Sequence, residues 1–224
     1  MDYKGVFFDF DYTLGDSTLG IAEGYRLGFT ALGLDPPTME QVRPTIGLTL
    51  ADGYSLITGD HDRARQEAFC HTFKHTVGVK GDGPGRALMI EGTKFFPGAA
   101  ELLRALKESG VRTAIVSTKP GETIRQIFAH QELEELLDLV IGGDEVYHAK
   151  PHPEGLHLAL ERLGLGPERV LFCGDTVIDA ATAQAGGCRF CAVLNGTTRA
   201  SAFERFPCVH IANDLADLKD WLKV

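Results

Sequence analysis

The chain has 224 residues, 44% hydrophobic and 24% charged, which suits one large globular domain or one domain with an insert and supplies a core without disulfides or structural metal. Its net charge of −9 has the wrong sign for a general nucleic-acid binder and disfavours that class of partner. No apolar run approaches the roughly 20 residues of a membrane helix. The opening Met1-Asp2-Tyr3-Lys4 leads into a short apolar stretch ending at acids, unlike a signal peptide, and the five cysteines, an odd number, read as reduced thiols; a cytoplasmic chain is expected.

Gly5–Phe10 predicts a short buried strand. From about Ser17 to Leu34, the spacing of Leu19, Ala22, Tyr25, Phe29 and Leu32 predicts a helix that Pro36-Pro37 breaks. Thr38 and Gln41 form a capping-box pattern for another helix, which Pro44 ends or kinks. Helices follow near Leu48–Ile57 and Asp62–Val77, so residues 17–79 contain helices and no convincing strand. Lys80-Gly81-Asp82-Gly83-Pro84-Gly85 is the strongest linker signal. Beyond it the pattern alternates. Helices are expected at Ala99–Ser109, Glu122–His130, Pro153–Leu163, Asp179–Ala185 and Leu215–Leu222. Strands are expected at Thr113–Ser117, Leu139–Ile141, Val170–Cys173, Phe190–Leu194 and Val209–Ile211. Alternation of this kind builds βαβ units and a doubly wound parallel sheet, an α/β Rossmann-like core. The N-terminal strand joins that sheet, giving a core of residues 1–15 and 90–224 with a small helical domain, 16–89, inserted.

In such a sheet, chemistry gathers beyond the carboxyl ends of the strands. Those ends deliver Asp9, Asp11 and Thr13 after the first strand, and Ser117 and Thr118 after Thr113–Val116. Asp144 and Lys150-Pro151 follow Leu139–Ile141, and Gly174, Asp175 and Asp179 follow Val170–Cys173. Asp9, Asp11, Asp175 and Asp179 are expected to converge on one crevice against one lysine. Carboxylates gathered near a core repel one another or take up protons unless a cation joins them. A hard divalent ion with oxygen ligands resolves the conflict, and magnesium, which shares its shell with water and phosphate oxygens, fits best.

Asp9-Phe10-Asp11-Tyr12-Thr13-Leu14, Ser117, Lys150-Pro151 and Gly174-Asp175-Thr176-Val177-Ile178-Asp179 resemble, in order and approximate spacing, the four motifs of the haloacid dehalogenase-like hydrolase superfamily. The chain is most similar to its phosphoglycolate phosphatase-like branch, in which a helical cap follows the first strand. The resemblance spans essentially the whole chain. It implies a magnesium-dependent phosphatase of small phosphorylated metabolites that works through an aspartyl-phosphate on Asp9. It makes Asp11 the proton donor to the leaving oxygen and then the base for water. Thr13 and Ser117, with Thr118 beside them, would bind the phosphoryl oxygens, and Lys150 would neutralise phosphate and orient Asp9. Asp9, the Asp11 carbonyl and Asp175 would ligate Mg2+, supported by Gly174 and Asp179. In the cap, Gly47 lies in a loop resembling substrate-facing loops of related caps, and neighbouring Arg43 is a candidate for a distal anionic group. Two positions depart from the pattern: Tyr12 stands where glycine is usual, and Thr118 where asparagine is common.

Other features have plainer readings. Cys188 and Cys191 have metal or redox spacing but no second pair, and His71 and His75 have no evident third ligand. His148 and His152 flank Lys150-Pro151, and Trp221 reads as a packing anchor for the last helix. The alternatives to a phosphatase are a sugar-phosphate mutase and a non-catalytic aspartate phospho-acceptor; Asp11, a base that would discharge the acceptor, argues against the latter. A dehalogenase, a phosphonate hydrolase using Lys74 and a P-loop kinase are less favoured, the last because no GxxxxGK[ST] loop is present. A monomer or weak dimer is expected.

Overall fold

The computed structural model describes residues 3–78, 81 and 83–224. They divide into two compact units, one of described residues within 3–16 and 95–224 and one of described residues within 17–94. In chain order, the first unit opens with β1 (Gly5–Phe8) and β2 (Gly15–Asp16). The second contains α1 (Thr18–Ala31), α2 (Met39–Val42), α3 (Leu50–Thr58), α4 (Arg63–Thr76) and α5 (Pro84–Ile90). The chain returns through β3 (Lys94–Phe95), which pairs with β2. It continues as α6 (Ala99–Glu108), β4 (Arg112–Val116), α7 (Gly121–His130), β5 (Leu139–Ile141), α8 (Glu154–Leu163) and β6 (Val170–Gly174). It ends with α9 (Val177–Gly186), β7 (Arg189–Val193), β8 (Cys208–Ala212) and α10 (Leu215–Leu222).

The main sheet has the order β5-β4-β1-β6-β7-β8, and every pairing in it is parallel. This is the expected doubly wound α/β core. Phe7, Ala114, Phe172 and Phe190 stand level across four strands and pack with Leu156, Ala159 and Leu160 of α8 and Ala180 and Ala183 of α9. Residues of the other parity, such as Val6, Phe8 and Ile115, are equally buried, while α6 touches β4 and α7 touches β5. A parallel sheet covered on both faces has strands that are apolar throughout rather than alternating, and β1 (Gly-Val-Phe-Phe) shows this. Trp221 stacks on His210 with ring centroids 4.8 Å apart, which ties α10 to β8.

The inserted unit is helical. Its core joins Tyr25, Phe29, Tyr54, Phe69 and Phe73, with Tyr25 and Phe69 centroids 5.0 Å apart. α1 carries Gly20, Gly24 and Gly28 at helical spacing, so one stripe of the helix has no side chains. A Cβ at Gly24 would lie 2.3 Å from the Phe73 ring, one at Gly28 2.6 Å from Phe69, and one at Gly20 2.6 Å from Cα of Met89. Thr38 and Gln41 form the expected capping box. The linker reading of 80–85 is corrected. Pro84 opens α5, where its missing N–H is harmless at the first turn, and Gly85 lies within that helix; Lys80 and Asp82 fall outside the described residues. Proline and glycine served here as a helix start rather than as a break between units. Among the described residues no helix is long and apolar enough to cross a membrane.

Candidate active site

β4, β1 and β6 are consecutive in the sheet, and their parallel register brings their carboxyl ends to one edge. Asp9 follows β1, its N–H donating to the Cys173 carbonyl at 2.9 Å; Ser117 follows β4, and Asp175 follows β6. The strand order reverses about β1, so the site lies at the topological switch point of the sheet.

Asp9, Asp175 and Asp179 are all buried, and each offers a carboxylate oxygen within 4.8 Å of the others. Lys150 reaches into this cluster. Its Nζ lies 2.6 Å from Asp179 Oδ1 and 2.9 Å from Asp9 Oδ1. The contact with Asp9 is an ion pair without hydrogen-bond alignment, and no donor among the described residues bonds Asp9 Oδ1. Asp179 is fixed at its other oxygen. It is the third residue of α9, and its Oδ2 accepts the Thr176 N–H at 3.1 Å and the Thr176 hydroxyl at 2.6 Å in a capping box. Gly174 makes room for it, since a Cβ there would stand 2.4 Å from the Asp179 Cβ.

Burial and the neighbouring acids set the electrostatics. Burial pushes the Asp9 carboxyl up to about 6; Lys150 opposes this, Asp179 adds to it, and Ser117 opposes it weakly. Asp175 is held well above the ordinary carboxylate range by burial, then by Asp179 and Asp9. For Lys150, burial favours the neutral amine, but Asp179 and Asp9 outweigh it and hold the ammonium above its usual range. Three buried carboxylates thus share one cation and are short of positive charge.

The loop after β1 is tightly wound. The Phe10 carbonyl accepts the N–H groups of Thr13, Leu14 and Gly15 at 3.2, 2.9 and 3.1 Å. Tyr12 sits within it at φ 61, in the left-handed region, where a residue without a Cβ is unstrained. Thr13 donates its hydroxyl to Asp175 Oδ1 at 3.1 Å. Its carbonyl accepts from Nδ2 of Asn195 at 3.0 Å. Asn195 follows β7 and was not anticipated, although the same rule of strand ends would have reached it.

The expectation of four acids against one lysine is corrected. The Asp11 carboxylate is not among the three clustered acids. It pairs with a second buried lysine, Lys119, whose Nζ lies 3.0 Å from Oδ2 and 3.2 Å from Oδ1. Lys119 escaped the sequence reading because a lone lysine in a loop ordinarily reads as solvated. Thr118, between Ser117 and Lys119, is half-buried. Asp144 does not join the site; its Oδ1 accepts the Gly121 N–H at 2.7 Å at the start of α7. Arg43 and Gly47 belong to the inserted unit. Arg43 is exposed and opens a short 3-10 turn, and Gly47 adopts φ 94. His148 and His152 are exposed and cluster with the half-buried Glu154 at the start of α8, where His148 Nδ1 meets Glu154 Oε2 at 2.7 Å. His71 and His75 stack on each other. All five cysteines are free thiols.

The donor set fits magnesium. The ligand atoms are hard carboxylate oxygens, their charge exceeds that of Lys150, and one oxygen of Asp9 lacks a hydrogen-bond donor.

The sequence profile of the family described as haloacid dehalogenase-like hydrolase matches residues 6–193. The chain belongs to that family. It is similar to the phosphoglycolate phosphatase of Shigella dysenteriae, 35% identical over 205 residues that cover 84% of this chain and 79% of that one. It is 36% identical over 203 residues to the phosphoglycolate phosphatase of Salmonella paratyphi A, covering 83% and 79%. A solved structure of a haloacid dehalogenase-like hydrolase from Bacteroides fragilis superposes with a TM-score of 0.89 at 36% identity, over 96% of this chain and 99% of that one. These likenesses place the chain in the phosphoglycolate phosphatase-like branch of the family.

Proposed function

We propose that this phosphoric monoester hydrolase removes phosphate from a small metabolite with Mg2+ bound and with Asp9 as its nucleophile. The observation that carries the reading is the buried trio Asp9, Asp175 and Asp179 around the Lys150 ammonium, with one oxygen of Asp9 left without a donor. Asp9, Asp175 and the Asp11 carbonyl would hold the ion, and Asp179 would support them. When bound, Mg2+ supplies the positive charge that keeps these carboxylates ionised beside an anionic phosphoryl group.

The residues then divide the work. Ionised Asp9 attacks phosphorus, forming a bond from its carboxylate oxygen as the bond to the ester oxygen breaks. Asp11, carrying the proton it took from water at the close of the preceding turnover, gives that proton to the leaving oxygen, so the product departs as an alcohol. Asp11, now a carboxylate, takes a proton from the water that attacks the aspartyl-phosphate. Phosphate leaves and Asp9 is restored. Lys150 keeps charge on Asp9 and meets the phosphoryl oxygens, while Ser117 and Thr13 donate hydroxyls to them. Thr13 must turn from Asp175 to do so. Arg43 and Gly47 are proposed as substrate-facing residues of the inserted unit, and the KM of Arg43→Ala tests this.

The test is phosphate release from a panel of phosphoglycolate, sugar phosphates and nucleoside monophosphates, with Mg2+ or chelator, for the native chain and Asp9→Asn. Release that needs the ion and disappears in the variant is expected. Transfer of phosphate within a sugar phosphate without release would replace this reading by a mutase, and release undiminished in Asp9→Asn would remove Asp9 from the reaction.

A further inference from the structure

Lys119 and Asp11 form a buried ion pair between the loops that follow β4 and β1. The Lys119 side chain is 5% exposed and that of Asp11 9%, so both charges are withdrawn from water. Burying either alone would cost several kcal/mol. Loop turns between a strand and a helix are ordinarily made with glycine, proline and small polar residues rather than with a buried ammonium. Both oxygens of Asp11 lie within 3.2 Å of the same nitrogen, which fixes how far the carboxylate can rotate. The Phe10 ring, 5.9 Å from Lys119 Nζ, bounds the ammonium on another side. Lys150, the other buried lysine, is committed to Asp9 and Asp179. The acids are therefore sorted between two cations: Asp9 and Asp179, clustered with Asp175, face Lys150, and Asp11 is paired with Lys119.

We infer that Lys119 is a positioning residue that holds the Asp11 carboxylate out of the Asp9–Asp175–Asp179 cluster and aims it for proton transfer. Without it, Asp11 would be free to turn toward any cation held by the other three acids and would be lost as a donor and base. The inference rests on the role proposed above for Asp11. The two are separable because Lys119 touches neither Asp9 nor Lys150 in the contacts that define the nucleophile.

The experiment mixes enzyme and Mg2+ with p-nitrophenyl phosphate in a stopped-flow instrument and follows nitrophenolate. That leaving group departs without a proton, so the first step does not need Asp11, whereas attack by water does. For Lys119→Met, a burst close to one nitrophenolate per enzyme is expected, formed within about threefold of the native rate, followed by turnover slowed at least ~10-fold. In an Asp11→Asn background the same substitution is expected to change turnover by less than about twofold, because the two residues act as one unit. Lys119→Arg, which keeps the charge, is expected to recover part of the rate. Equal slowing of burst and turnover, full additivity with Asp11→Asn, or native turnover in Lys119→Met would each overturn the inference. If Lys119→Met does not melt cooperatively, Lys119→Gln replaces it under the same criteria. Failure of the phosphatase reading has its own mark, undiminished turnover in Asp9→Asn, and overturns both; failure of this inference leaves Asp9→Asn inactive.

Discussion

Asp179 holds the Thr176 hydroxyl with one oxygen and the Lys150 ammonium with the other, both at 2.6 Å. One side chain therefore starts a helix and places the active-site cation. Asp179→Asn keeps an oxygen for Thr176 and removes the charge shared with Lys150. It is expected to lower kcat ~10–100-fold with KM changed less than about threefold. Asp179→Ala also loses the two bonds Thr176 donates to Oδ2, a further cost of about 0.5–1.5 kcal/mol each. Steady-state kinetics and thermal melts of the pair separate the two duties; identical melting of both variants would show that the cap contributes nothing.

Asp9 makes metal-free stability depend on pH. Its carboxyl is raised from 3.8 when free to about 6 in the fold, so the folded chain binds the proton more tightly than the unfolded one. The stabilisation this gives is fully present below about pH 4 and is lost as pH rises through about 6. Asp175 acts in the same direction. In chelator, Asp9→Asn is therefore expected to melt higher than the native chain at about pH 7.5, by roughly 2–4 °C for each kcal/mol relieved, and to lose that advantage below about pH 4. An advantage that persists unchanged at low pH would rule out ionisation of Asp9 as its source.

Magnesium should reverse this trend. The ion needs ionised carboxylates, so its affinity rises with pH across the same range. At ~100 times its Kd, near pH 7.5, stabilisation of about 2.7 kcal/mol is expected. With the same Mg2+ at about pH 5, where Asp9 is mostly protonated, the shift in Tm should fall to less than about half. Calorimetry at both pH values checks it, and equal shifts would exclude these acids as the ligands.

Tyr12 sets backbone strain against a buried ring. Its left-handed φ of 61 costs roughly 1–2 kcal/mol. The residue is 4% exposed, and losing a buried aromatic costs about 3–5 kcal/mol. Tyr12→Gly is expected to destabilise the chain by a net ~1–4 kcal/mol while leaving the loop hydrogen bonds to Phe10 in place. A variant that melts above the native chain would mean that the ring contributes less than the strain removes.

The sheet was legible because each strand is a short apolar run between recognisable breakers, and a covered parallel sheet needs such runs. Asp9, Ser117, Lys150, Asp175 and Asp179 were legible for a related reason: polar groups at the ends of greasy strands have no business in a core unless they act together. Lys119 and Asn195 were not, because each depends on a partner more than 100 residues away, Asp11 in one case and the Thr13 carbonyl in the other. Helix α5 was hidden because Pro84 and Gly85 carry the same local signal at a helix start as in a linker. The left-handed turn at Tyr12 was hidden because tyrosine gives no sign of it.

The bare stripe of α1 bears on how the inserted unit can diversify. Each glycine within a helix gives up roughly 0.5–1 kcal/mol of intrinsic helix stability relative to alanine, so Gly20, Gly24 and Gly28 leave α1 a weak helix by itself. Its order is borrowed from Phe69, Phe73 and Met89, whose atoms occupy the space a methyl group would need. Even alanine is barred from these three positions unless α4 or α5 moves. Mutational drift in this unit is thereby steered away from its helical interior and into its connecting segments, where Arg43 and Gly47 lie, so those segments can change with the helix spacing unchanged.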